Sequence, residues 1–251
     1  VGACTLLQPE EIEDRLSRLG IVVALAAEAR CLTNRRIKPD ELIPLGHGVW
    51  LRLCGAGPER ASAVANMLLG SGVKALLSWG TAGALAANLQ PGLLILPRVV
   101  VSATGQRLPV DSQWRARLAD CVAEYLQVDD GVLAESSMVL TNGTAKNRLT
   151  QDVAAVAVDM ESAAVAAVAQ RARIPFLAVR AVADSVERVI APEILEVVNI
   201  YGQVRFRPLI RAVCTHPRVL ADGFRLAADF RRACATLSRV AGLAGPDLQV
   251  G

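Results

Sequence analysis

A carboxylate placed where a strand feeds a helix sits at the C-terminal edge of a sheet. It lies beside a helix N-terminus, whose dipole favours negative charge. Asp159 and Glu161 stand at such a switch: residues 153–158 read as an apolar strand, and an Ala-rich helix former runs on to Ala169. A second acid, Asp184, closes the buried-strand pattern of FLAVRAVADS at 176–185. Two strands joined by a helix of this length are expected to form a right-handed parallel βαβ unit, which brings Glu161 and Asp184 out of one sheet edge. A third acid, Glu28, ends the first buried run at Ile21–Ala27, with Arg30 beside it. The plainer alternative for each is a helix cap or a solvated loop charge.

The chain holds only His47 and His216, and neither falls among these acids. A His/Cys metal cluster is therefore not expected, and no cofactor is implied. Serine chemistry lacks both an elbow motif and a base. Carboxylates alone suit a reaction through a sugar cation of oxocarbenium character, because they stabilise positive charge and donate protons. Cleavage of an N-glycosidic bond is such a reaction: one acid protonates the departing base, another holds the ribose hydroxyls, and a nucleophile arrives at the anomeric carbon.

The elements that must carry these groups follow in order. Val49–Leu53 reads as a strand leading into Cys54-Gly-Ala-Gly-Pro-Glu-Arg60 and a helix from about Ala61 to Leu69. The G-x-G lacks the third glycine of a dinucleotide fingerprint. What remains is a tight turn whose free N–H groups at Gly57, with Arg60, suit an anion or sugar hydroxyls. Ala75–Ser78 reads as a strand entering a glycine turn, Trp79-Gly-Thr-Ala-Gly-Ala84, where Gly80 and Gly83 admit close backbone approach and Thr81 offers a hydroxyl. Leu93–Val101 is a strand bent at Pro97-Arg98, Asp111–Leu126 a helix, and Val132–Leu140 a strand. The polar segment Thr141–Arg148 is placed to close over a site.

At 251 residues and 53% hydrophobic content, the chain can bury one large core, and its alternating β-like and helical runs point to α/β. A net charge of +3 gives no argument for nucleic acid. No apolar run reaches the roughly 18 residues of a membrane span, and the N-terminus lacks a signal peptide, so a cytoplasmic protein is expected. Six scattered cysteines without a C-x-x-C pair read as reduced, mostly buried thiols.

AVDMESAA followed by VRAVADS, with A-x-x-x-E at Ala24–Glu28 and G-T-A-G at Gly80–Gly83, resembles the purine nucleoside phosphorylase and methylthioadenosine/S-adenosylhomocysteine nucleosidase superfamily. The likeness runs from about Ile21 to Asp184. GAGPERA, PVDSQWRARL, VDMES and RLAADFRRA are similar to its hopanoid-associated phosphorylase branch. The resemblance implies a phosphorylase/hydrolase-like three-layer α/β fold, a mixed central sheet flanked by helices. It implies adenine release from a 5′-modified adenosine, adenosylhopane in that branch, by phosphorolysis or hydrolysis. Asp184 is implied as the general acid at the purine, Glu161 as the group on the ribose hydroxyls, and Glu28 as the group that activates water. Met160, Asp159, Thr81, Gly83 and Gly57 are implied in ribose or substrate binding. Arg30, Arg60, Thr81 and Arg180 are candidates for a phosphate co-substrate, Arg180 being alternatively a structural charge near the acid. Two departures stand out: Asp159 replaces the usual Glu, and Ala183 stands where Ser often precedes the acid.

This organisation divides the chain into a lead-in at 1–20, a catalytic domain at 21–204 and an Arg-rich helical extension at 205–251. That extension carries eight arginines: Arg205, Arg207, Arg211, Arg218, Arg225, Arg231, Arg232 and Arg239. Interleaved with apolar residues on a helix, they give an apolar stripe and a basic face. The commoner outcome is a helix packed on the sheet with solvated arginines; the sharper is a surface for anionic lipid at the inner membrane face. The expected partners are a small purine nucleoside, lipid-linked in the hopanoid reading, and further copies of the chain. The rival readings are a methylthioadenosine/S-adenosylhomocysteine nucleosidase and a nucleoside-binding module without catalysis.

Overall fold

The computed structural model describes residues 19–35, 37–39, 41–136, 153–186, 199–203 and 218–250, with side chains of the last segment from Gly223 onward. Residues 1–18 of the charged lead-in, the Thr141–Arg148 loop, Arg205, Arg207 and Arg211 lie outside the described residues, while Leu19 and Gly20, expected in the lead-in, already belong to the first strand.

Short apolar runs rich in Val, Leu and Ala alternate with helix formers, and the described elements follow that alternation. They are β1 (Leu19–Val23), α1 (Ala26–Ala29), β2 (Leu42–Gly46), β3 (Val49–Leu53), α2 (Pro58–Gly70), β4 (Ala75–Ala84), β5 (Leu94–Ile95), β6 (Val99–Val101), β7 (Arg107–Pro109), α3 (Ser112–Val122), β8 (Val128–Asp129), β9 (Val132–Glu135), β10 (Ala155–Asp159), α4 (Ser162–Ala172), β11 (Phe176–Asp184) and α5 (Arg218–Ala244). All eleven strands join one mixed sheet, in the order β2-β3-β1-β4-β10-β9-β6-β7, with β11, β5 and β8 branching from β4. Helices cover both faces: α2 and α4 pack over one apolar cluster around Val22, Leu68, Leu76 and Ala178. On the other, Trp79, Leu177 and Val179 meet Ala233, Leu237 and Val240 of α5. The three-layer architecture expected from the sequence is the one observed.

β4 is the hub. Its glycines and alanines let neighbours crowd in, and both of its edges are in use. β11 runs parallel along one edge from Phe176 opposite Leu76 to Asp184 opposite Gly83. On the other edge β1 pairs in parallel only as far as Val23 opposite Trp79. Beyond Gly80–Ala82, β10 takes up that edge, antiparallel, with Ala157 opposite Ala84 and Val158 opposite Gly83.

This topology corrects two expectations. The segment from Trp79 to Ala84 is strand throughout, not a glycine turn. β10 and β11 also do not form a parallel βαβ pair, because β4 lies between them and β10 runs against it. Both strands nevertheless bring their C-terminal ends to Gly83, so the acids that follow them converge as a parallel unit would have brought them. The reason is length: β4 runs ten residues and projects past the end of β1, leaving an edge that β10 can cap.

α5 is part of the core. Ala233, Leu237, Val240 and Ala244 are buried along one face. The tail beyond it is tied to α3 by Trp114 Nε1 donating to the Leu248 carbonyl at 2.7 Å and by Arg117 donating to the Gln249 and Val250 carbonyls at 3.0 and 2.7 Å. Arg239 lies over the Tyr125 ring at 5.5 Å, and Arg232 pairs with Asp229. Phe224 is 69% exposed near the start of the helix.

Candidate functional site

Glu28 ends a single helical turn after β1 and is buried to 3% exposure. Its carboxylate reaches across to β4, where the Thr81 N–H donates to Oε1 at 2.8 Å and the Thr81 hydroxyl at 2.7 Å. Oε2 accepts from the Leu25 N–H at 3.0 Å, closing a capping box on α1. Thr81 falls in the part of the β4 edge that β1 has left and β10 has not yet taken. Gly80 makes the approach feasible, since a Cβ there would lie 2.8 Å from Glu28 Oε2. Burial raises the Glu28 carboxyl above the usual 4.5, against the lowering pull of Thr81 and the Arg180 charge.

Glu161 occupies the N-cap position of α4, directly after β10. Its side chain does not cap its own helix; Oε1 instead accepts the Gly57 N–H at 2.8 Å. Gly57 can present that amide because its φ is +115°, which L side chains rarely adopt. Burial, with the negative charge of Asp159 adding to it, pushes the Glu161 carboxyl up to about 8. Met160, half-buried, precedes it. The buried Cys54 thiol is pushed up first by burial and then by the charges of Glu161 and Glu28, which places both acids in its surroundings.

Asp184 lies at the β11 bulge, 8% exposed. A Cβ on Gly83 would come within 2.9 Å of its Oδ1 and 3.5 Å of Val158 Cγ1. Gly83 is thus the point where the Asp184 carboxylate and the strand leading to Glu161 meet. Two residues earlier on the same strand, Thr81 holds Glu28. Glu28 and Asp184 thus crowd one short piece of β4, and Glu161, just past the strand that pairs with it there, feels the charge of Glu28.

Asp159 takes a different position from the ribose contact expected of it. Arg180 Nε donates to its Oδ2 at 2.7 Å, both side chains being almost fully buried. The Ser162 hydroxyl donates to the same oxygen and lies 3.2 Å from the Ser78 hydroxyl, which Arg180 Nη2 contacts at 2.6 Å. Arg180 Nη1 goes to the Val179 carbonyl at 3.0 Å. The Arg180 expected at phosphate is therefore committed to an internal ion pair. The Gly57 amide, expected to face ligand, is spent on Glu161, and Gly83 makes room for a carboxylate. Arg30 and Arg60 are exposed, Arg60 donating to the Ala56 carbonyl at 3.1 Å.

Sequence reading missed Glu135. It ends β9 beside Asp159 and is buried; its Oε1 accepts the Ala164 N–H at 3.1 Å. Burial is the main cause that raises its carboxyl. With Asp159 Oδ1 accepting the Ser162 N–H at 3.3 Å, two acids anchor the first turn of α4 and so the segment that bears Glu161. An acid closing the apolar run VLAE was the available signal. Ser78 and Ser162 gave none beyond their places beside the motifs.

A surface groove of about 420 Å³ between Leu108–Asp111 and Gln170–Phe176 lies at the opposite end of α4 from Glu161. Among the described residues no cluster of His, Cys, Asp and Glu is arranged to hold a metal. No described helix is long and apolar enough to cross a membrane.

The sequence model of the phosphorylase superfamily matches residues 41–204. No curated protein matches the chain. Among solved structures, a Helicobacter pylori MTAN mutant with 5′-methylthioadenosine in its active site is 18% identical at TM-score 0.67, over 89% of this chain and 96% of that one. The native futalosine hydrolase of Helicobacter pylori is 18% identical at TM-score 0.67, over 90% and 96%. The 5′-methylthioadenosine/S-adenosylhomocysteine nucleosidase of Neisseria meningitidis, in complex with methylthio-immucillin-A, is 17% identical at TM-score 0.68, over 91% and 99%. At these identities the likeness is one of fold.

Proposed function

This chain belongs to the phosphorylase superfamily, and from that premise we propose that it cleaves the N-glycosidic bond of a 5′-modified adenosine and releases adenine. The observation that carries the reading is the approach of Glu28 and Asp184 to Gly80 and Gly83 of β4, with Glu161 just past the end of β10, which pairs with β4 at Gly83, and within reach of the Glu28 charge. In this reading Asp184 gives its proton to the purine as the C1′–N9 bond breaks. Glu161 accepts hydrogen bonds from the ribose hydroxyls, which strengthen as the ring becomes cationic. Met160 packs against the sugar. Water forms the new bond to C1′ and passes its proton to Glu28, poised by Thr81.

Water is the favoured nucleophile because the groups expected at phosphate are otherwise engaged: Arg180 with Asp159, and the Thr81 hydroxyl with Glu28. Phosphorolysis through exposed Arg30 and Arg60 is the competing reading. Adenine release measured with and without phosphate separates the two, and strict dependence on phosphate would discard hydrolysis.

The finer reading, in which the 5′ group is a hopanoid, rests on the sequence likeness at GAGPERA, PVDSQWRARL and RLAADFRRA. The exposed Phe224 beside Arg225, on a helix bearing Arg231 and Arg232, suits a peripheral contact with anionic lipid. A homo-oligomer in which a neighbour helps to close the pocket belongs to the same reading. Comparing turnover of methylthioadenosine with that of adenosylhopane in vesicles tests it. Faster turnover of methylthioadenosine, with no flotation on anionic vesicles, selects the nucleosidase alternative. An adenosine-induced rise in melting temperature with no adenine formed over hours selects a binding module.

A further inference from the structure

The acids leave one reactive group beside the site unused. Cys31 follows the Glu28 turn immediately: its N–H donates to the Glu28 carbonyl at 3.1 Å. Its thiol donates toward the Cys234 carbonyl of α5 at 3.4 Å, spanning 203 positions of sequence, and toward the Ala27 carbonyl at 3.5 Å. Both thiols are half-buried, so solvent reaches them, whereas Cys54 is sealed in the core.

Their environments are unequal. The Cys234 thiol, donating to Cys31, is the main cause that lowers the Cys31 thiol to about 7, while Cys234 is raised. One sulfur is thus the readier nucleophile and the other keeps its proton, which is the division of labour a reacting thiol pair requires.

We infer that Cys31 and Cys234 are a redox modification site, closed to a disulfide by a hydroperoxide, that couples oxidation to the placement of Glu28. The Cys31 thiolate attacks one oxygen of hydrogen peroxide, breaking the O–O bond; it becomes a sulfenic acid, and the departing hydroxide takes up the proton the thiol had given to solvent and leaves as water. The Cys234 thiol then attacks that sulfur, the S–S bond forms, the S–OH bond breaks and a second water departs. Two thiols are oxidised and one hydroperoxide is reduced, with nothing left over. Covalent closure would tie Cys31 at the end of α1 to α5, where its thiol already reaches the Cys234 carbonyl. Glu28 lies three residues before Cys31 and is held by Thr81 of β4, so a shift of the α1 end bears on its placement.

The functional consequence rests on the proposed reaction; the thiol chemistry does not. The full chain, first reduced, is treated with hydrogen peroxide, alkylated and mapped by peptide mass. A Cys31–Cys234 linked peptide, lighter by two hydrogens and absent from Cys31→Ser, is the expected result. Cys234→Ala should stop at a dimedone-trapped sulfenic acid on Cys31. Adenine release by the oxidised wild type should fall at least about tenfold, as misplacement of a catalytic group does. It should return with dithiothreitol, and the Cys31→Ser/Cys234→Ala double variant should keep its activity under peroxide. Absence of the linked peptide overturns the site, and a linked protein with undiminished turnover overturns the coupling. A reduced protein that releases no adenine from any nucleoside refutes the proposed reaction, and the linked peptide still decides the thiol pair.

Discussion

Two groups of buried acids sit a few residues apart and are treated oppositely. Asp159 has a guanidinium against it and two hydroxyls around it, a closed set in which every charge is answered. Glu161 is held by one backbone amide and Glu28 by two amides and a hydroxyl, with no cation in contact with either, and burial pushes both carboxyls upward. A charge already met by a buried partner makes frame, since its bonding capacity is taken up within the protein. Carboxyls that burial keeps close to protonation gain from a cation arriving between them. In the proposed reaction the difference separates what shapes the site from what works in it, although Asp159 and Glu161 are neighbours in one motif.

The largest effect expected from breaking this contrast is on the frame. Arg180→Met leaves Asp159 as an uncompensated buried charge and should cost about 3–5 kcal/mol. In a chain of this size that lowers the melting temperature on the order of 10 °C. Adding Asp159→Asn should restore most of the loss, and calorimetry of the two variants checks it. On the working side, Asp184→Asn should cost on the order of a hundredfold or more in adenine release, with the fold intact by circular dichroism. An Asn variant of near wild-type rate would remove Asp184 from its role.

Glu161→Gln should lower kcat/KM on the order of tenfold, by loss of charge-assisted bonds to the ribose. The wild-type kcat/KM should climb with pH toward about 8 as Glu161 ionises, and the Gln variant should lose that limb. Stability should run the other way. The folded protein holds the Glu161 proton from its usual 4.5 up to about 8, and the unfolded chain does not. The native state therefore binds more protons in that window, and stability falls as pH rises through it. Thermal melts of wild type and Glu161→Gln across pH 5–8 check the sign, a flatter dependence being expected of the variant. The smallest change is Gly83→Ala, whose Cβ meets Asp184 Oδ1 at 2.9 Å. It should shift that carboxylate and lower turnover about fivefold without a comparable loss of stability.

Much of this arrangement was legible in the sequence. The apolar runs located β3, β11 and most of β1 and β10, and the acids closing them marked the site, because a strand end is where a chain can present a polar group. What misled was connection. The parallel rule for strands joined by a helix assumes that they are neighbours, and nothing local to residues 153–184 says that β4 lies between them. Gly80 and Gly83 suggested a turn because glycine is rare inside strands. Here their missing side chains admit two carboxylates instead of a ligand. A structural role for Arg180 was among the readings, but its partners were out of reach, since Ser78 and Asp159 come from two other strands.

The bond from the Thr81 amide to Glu28 has a use beyond positioning. An amide proton that rests on a side-chain carboxylate, and not on a ladder carbonyl, changes its chemical shift when that carboxylate gains a proton. The nitrogen–proton resonance of Thr81 is in effect a built-in indicator dye: followed through a titration, one peak in a two-dimensional spectrum would report the ionisation of the acid proposed to prime water.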